Sequence, residues 1–162
     1  MSFLIKQAFS VAKILKQNKH TVSVAESSAG GLISANLLAV PGASSFYRGG
    51  SVVYTKKSRL VFLNLDLEKL RALRPLSEEM VIEFARGAQA KLGTTWGVAE
   101  LGAAGPTGTP YGDGAGVCVV GIAGPVEATI KIETHSTDRE ENMLAFTSAA
   151  LKLFHETLLK VT

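Results

Sequence analysis

Short apolar runs rich in β-branched residues alternate with longer segments of helical period, and that alternation restricts the chain to folds in which helices pack on a sheet. TVSVA (residues 21–25), a run at 51–54 and another at 96–101 read as strands. Between them, 27–38 carries an apolar stripe of Leu32, Ile33, Leu37 and Leu38, and a short helix is predicted at 58–63. Leu76-Ser77-Glu78-Glu79 gives a hydroxyl cap with early acids, opening a helix that runs through Ala90. A strand pair, 117–123 and 128–133, turns at Gly124-Pro125, and a last helix spans 138–159 with Leu144, Leu151, Phe154 and Leu158 inward. At the amino end Phe3, Leu4, Ala8, Val11 and Leu15 repeat at helical spacing, interrupted by lysines that break any signal-like hydrophobic centre. Strands alternating with helices early and a strand pair late predict an α/β fold, three layers in the order α/β/α, with a mixed sheet.

The length of 162 residues suits one domain over 1–162. Hydrophobic residues at 46% and charged residues at 19% exclude a disordered chain. A net charge of +3, spread without a Lys/Arg block, argues against nucleic acid as partner. No run reaches the roughly 18 apolar residues of a membrane span. The single cysteine, Cys118, sits within the apolar run 117–122 and excludes an internal disulfide, which suits a reducing, cytoplasmic setting. His20, His135 and His155 fall in no ligand spacing, so no metal site is expected.

Chemistry is expected at three places. The first is the strand-to-helix turn Ala25-Glu26-Ser27-Ser28-Ala29-Gly30-Gly31. Free N–H groups at such a turn attract anions and its glycines allow close approach. Ser27 there can be a nucleophile if a base lies near, and it can equally be a helix cap. The second is Tyr54 with Lys56, Lys57 and Arg59 at the exit of the second strand, a binding cluster or a solvated charge run. The third is the Gly- and Pro-rich loop 102–116 with Asp138-Arg139 beyond it. Arg139 can grip phosphate or carboxylate through two parallel hydrogen bonds, and loops of this length inside a domain tend to be functional.

These segments resemble, in order and over nearly the whole chain, the CinA (competence/damage-inducible) C-terminal domain family. VAESSAGGLIS is similar to that family's A-E-S-C-T-G-G turn, and VPGASSFYRGGSVVYTKKSRLVFL to its P-G-S-S segment leading to a strand that ends in tyrosine. LSEEM resembles its V-S-E-E helix start, GAAGPTG its G-I-A-G-P-x-G loop, and TDREENM its G-D-R segment. The resemblance implies hydrolysis of the carboxamide of nicotinamide mononucleotide to the nicotinate nucleotide and ammonia, a step of pyridine-nucleotide salvage that uses no cofactor. It implies a cytoplasmic homo-oligomer whose partner is a nucleotide-like small molecule. Carried over by position, the catalytic residues are Ser27 as nucleophile and Tyr54. Glu26, Ser28, Gly30, Gly31, Gly102, Gly105, Gly108 and Arg139 are the substrate-binding residues.

The departures concern the base. Five residues after Tyr54, where the family has its lysine, stands Arg59, which stays charged and cannot accept the serine proton. Lys56 or Lys57 replaces it if an amine comes within roughly 2.6–3.2 Å of Ser27. Amines facing solvent while Arg59 fills the pocket would instead favour a silent nucleotide-binding homologue. Ala29 stands for the family threonine, Ser28 for its cysteine, and Asn142 where a second arginine is expected.

Overall fold

The structure, a computed structural model, describes residues 2–162. Its elements are α1 (Phe3–Asn18), β1 (Val22–Glu26), α2 (Leu32–Leu38), β2 (Tyr47–Val52), α3 (Lys56–Leu63), α4 (Leu67–Arg71), α5 (Glu78–Leu92), β3 (Trp96–Gly102), β4 (Val117–Ala123), β5 (Ala128–Glu133) and α6 (Arg139–Leu159), with a single 3-10 turn at Ala43–Ser45. The strands form one sheet in the order β2-β1-β3-β4-β5. β2, β1 and β3 run parallel, whereas β4 and β5 pair antiparallel to their neighbours. The mixed sheet follows from the connections. Helical crossovers join the early strands, and a tight turn joins the last two.

Two apolar layers sandwich the sheet. Val22 and Val24 of β1, Trp96 and Val98 of β3, and Cys118, Val120 and Ile122 of β4 face α1, α2 and α6, where Leu15, Leu37, Phe146 and Phe154 are fully buried. The alternate residues Ala25, Ala99, Leu101, Val117 and Val119 face α5 with Val81 and Phe84. Burial of each such large side chain contributes about 1.5–3 kcal/mol. Period-2 alternation therefore feeds two cores from the same strands, giving the three layers expected.

The element bounds differ from expectation where a cap or a glycine decides them. β4 and β5 match their expected ranges, and Ser77 caps α5 by accepting the Met80 N–H at 3.1 Å. α2 starts at Leu32 rather than 27, and β2 begins at Tyr47 because Gly49 and Gly50 lie within the strand instead of before it. A Cβ at Gly50 would sit 3.0 Å from the Val24 carbonyl oxygen, so the pairing with β1 needs a glycine there. α4 was not anticipated. Phe3, Leu38 and Leu144 are exposed, and their inward places are taken by Ile14 in α1 and by Asn142 and Phe146 in α6.

Candidate functional site

The carboxyl ends of the parallel strands β2, β1 and β3 lie side by side, and each leads into one of the three segments singled out in the sequence. In open α/β sheets this edge is where ligands bind. The turn after β1 is bounded by its neighbours. Val53 N–H donates to the Glu26 carbonyl at 2.7 Å, Ser28 Oγ donates to the Gly102 carbonyl at 2.5 Å, and a Cβ at Gly30 would lie 2.9 Å from Met143 Cε of α6.

Within that turn every backbone donor but the Ser28 N–H is already engaged, which corrects most of the expectation of free amides. Glu26, 1% exposed, accepts from Gly31 and Ile33 on Oε1 (3.1 and 2.9 Å) and from Ser34 on Oε2 (2.8 Å). It performs the capping assigned to serine, and this is why α2 begins only at Leu32, after Gly30 and Gly31 at φ +67° and +100°. Glu100 of β3, fully buried, crosses from the neighbouring strand. Its Oε1 accepts the N–H of Ser27 and of Ala29, each at 2.9 Å. The amides of Gly30 and Leu32 donate to the carbonyls of Ser27 and Ala29, whereas the Ser28 N–H, near Glu100, makes no hydrogen bond among the described residues. Burial raises the pKa of Glu26 against these N–H contacts, and raises that of Glu100 to about 7. Glu100 Oε2 is buried with no partner.

Glu100 is the residue of this edge that the sequence reading missed. A signal for it existed: an acid within a strand covered on both faces has no solvent side to turn to.

The Ser27 hydroxyl makes no hydrogen bond among the described residues, although the residue is 5% exposed. Lys56 and Lys57 open α3, both exposed, and neither amine reaches Ser27. Arg59 is held elsewhere: its Nε donates to the Val53 carbonyl at 3.2 Å and its guanidinium lies 5.1 Å from the centre of the Phe84 ring. Burial lowers the Arg59 pKa while the nearby Tyr111 opposes that shift. Tyr54 is exposed, and its hydroxyl accepts from Arg139 Nη2 at 3.2 Å; Arg139 Nη1 donates to the Gly105 carbonyl. The structure thus joins the second and third segments through Tyr54, Arg139 and Gly105. Arg59 and Arg139 have no carboxylate within 4.0 Å among the described residues.

The glycine-rich loop packs on the protein itself. A Cβ at Gly108 would strike the Asp113 carbonyl oxygen at 2.0 Å, and one at Gly105 would lie 3.1 Å from that of Thr137. Asp113, 6% exposed, accepts from Arg74 at 2.9 Å and from Thr109 Oγ1 at 3.2 Å, latching the loop to the segment before α5. Asn142 is fully buried and makes no anion contact. Its Nδ2 donates to the carbonyls of Ala104 and Ser136 (2.8 and 2.9 Å), and its Oδ1 accepts from Thr134. Two shallow pockets lie away from this edge, one lined in part by Phe62, Lys91 and Leu92 and one beside Glu78, Arg86 and Glu127. Among the described residues no helix is long and apolar enough to cross a membrane, and no three His, Cys, Asp or Glu side chains gather as metal ligands.

The fold and this edge define a class: an α/β domain that brings a serine turn, unpaired guanidiniums and a glycine-rich loop to the carboxyl ends of its parallel strands. The model of the CinA C-terminal domain matches residues 5–158, and the chain belongs to that family. It is 35% identical over 144 residues to a CinA-like protein of Salinibacter ruber, covering 89% of this chain and 35% of that protein. With a CinA-like protein of Dictyoglomus thermophilum it shares 33% identity over 151 residues, 93% of this chain and 37% of the relative. The chain thus spans about a third of the length of these curated relatives. Among solved structures, the competence damage-inducible protein A of Klebsiella pneumoniae superposes with a TM-score of 0.90 at 26% identity, covering 98% of both chains. The competence/damage inducible protein CihA of Agrobacterium tumefaciens superposes at 0.88 with 25% identity, covering 98% of this chain and 99% of that one.

Proposed function

We propose that this chain binds a phosphorylated mononucleotide bearing a carboxamide, with nicotinamide mononucleotide as the reference ligand, and that it lacks the turnover of a Ser/Lys amidase. The observation that carries this reading is the exposed Arg139 guanidinium, held by the Tyr54 hydroxyl and the Gly105 carbonyl with no carboxylate on it among the described residues. Cations presented without an internal counter-ion favour an anionic ligand, and a guanidinium matches phosphate geometry. Phosphate would lie on Arg139 beside the Tyr54 hydroxyl, and the carboxamide would reach toward Ser27 across the neighbouring strand end. Turnover lacks its base: both lysine amines face solvent, and Arg59 keeps its proton.

One observation favours a second reading, hydrolysis. The Ser27 hydroxyl is uncommitted, so it is open to attack a carboxamide carbon. Its proton would pass to a base, the C–N bond would break to release ammonia, and water would then free the nicotinate nucleotide from the serine ester. The experiment is calorimetric titration with nicotinamide mononucleotide beside an ammonia assay, on the native chain and on Arg139→Ala and Ser27→Ala. Saturable binding weakened about 10–100-fold by Arg139→Ala, without ammonia release, is the expected result. Ammonia release abolished by Ser27→Ala would replace it with the hydrolytic reading, and absence of binding would defeat both.

A further inference from the structure

The two ends of the strand edge are polar in opposite senses. At the β2 end, guanidinium groups stand without a counter-ion. At the β1 end, most donors of the serine turn are taken: Ser27 and Ala29 by Glu100, and Gly31, Ile33 and Ser34 by Glu26. The two acids are 0% and 1% exposed, and no cationic side chain pairs with either among the described residues. Glu100 Oε2 is buried and has no hydrogen-bond partner among the described residues.

We infer that Glu100 is a specificity-determining residue: by holding the Ser27 and Ala29 amides with its own carboxyl group, it bars an anion from the serine end of the pocket. The ligand is therefore a mononucleotide anionic at one end and neutral at the other. A carboxylate arriving at Ser27 would meet two buried acids and, of the turn's amides, only the Ser28 N–H left uncommitted, so most of its lost hydration would go uncompensated. A carboxamide carries no charge to repel, and it can pair with the groups left uncommitted there, the Ser27 hydroxyl and the Ser28 N–H. Glu100 acts on the ligand through the turn it holds, not by contacting the phosphate. The inference rests on the nucleotide reading above and adds to it the choice between the amide and acid forms of one ligand.

The test is a pair of titrations, nicotinamide mononucleotide against nicotinate mononucleotide, on the native chain, Glu100→Gln, Glu100→Ala and Arg139→Ala. The native chain should prefer the amide form by about 10-fold or more, the penalty of an uncompensated polar or charged mismatch. Glu100→Gln keeps an acceptor for the two amides and removes the charge, so the preference should shrink severalfold. Glu100→Ala, where it folds, frees the amides and should shrink the preference further. Arg139→Ala should weaken both ligands alike and leave their ratio intact. Equal affinity of the native chain for both forms, or a ratio unmoved by Glu100→Gln, overturns the inference while leaving the nucleotide reading in place. Binding of neither form overturns the nucleotide reading and this inference with it.

Discussion

The serine turn and the arginine junction lie on adjacent strand ends, yet they are built by opposite rules. In the turn most backbone donors are satisfied internally, five of them by two carboxyl groups that are nearly or fully buried, so its geometry is set within the protein. At the junction, exposed Tyr54 and Arg139 meet each other and a loop carbonyl, leaving charge unbalanced. Proximity to a helix start does not make an anion site, because the amides attract a ligand only if no side chain reaches them first. The difference teaches that free charge at this edge lies on side chains, and that the turn leaves only the Ser27 hydroxyl and the Ser28 N–H uncommitted.

Breaking the turn should have the largest effect. Glu26→Ala leaves the amides of Gly31, Ile33 and Ser34 without an acceptor at a buried site, and we expect a loss of about 3 kcal/mol, seen as a fall of roughly 6–12 °C in the melting temperature. Glu100 sharpens the comparison through pH. Its folded pKa of about 7 lies above the ordinary carboxylate value of 4.5, so the folded state keeps a proton that the unfolded chain releases. Its contribution is fully present below pH 4.5 and is lost as pH rises through 7, a decline of at most about 3 kcal/mol. Chemical denaturation at pH 5 and pH 8 should show the native chain weaker at the higher pH, and Glu100→Gln should flatten that slope. At the junction, Lys57→Ala should change neither stability, by more than about 0.5 kcal/mol, nor nucleotide affinity, since its exposed amine touches nothing. A substantial loss of affinity would place the lysine at the ligand after all.

The contrast between legible and illegible parts follows the same division. β4 and β5 could be read with their bounds because apolar runs end at Gly116 and Gly124-Pro125, and α5 because Ser77 announces its cap locally. Tyr54 and Arg139 could be proposed from their positions and the family resemblance, and the structure joins them. The start of α2 could not be read, since its capping group sits before the turn, in Glu26 of β1, where a strand residue is not expected to cap a helix. Glu100 was hidden for a related reason: its partners are about 70 residues away, on a strand whose adjacency to β3 exists only in the folded sheet. Asn142 likewise looked like a missing arginine until its three partners showed it to be a buried link.

That link bears on how the glycine-rich segment moves. Across the loop's mouth Ala103 accepts from the Gly116 N–H and donates to the Val117 carbonyl, Asp113 ties the far end to Arg74, and Asn142 fastens the near end to α6. A segment that composition alone would make the softest in the molecule is thereby coupled to the last helix. In amide hydrogen exchange, the Gly116 and Thr134 protons should be released together with those of α6 in one cooperative opening, not by independent fraying of the loop.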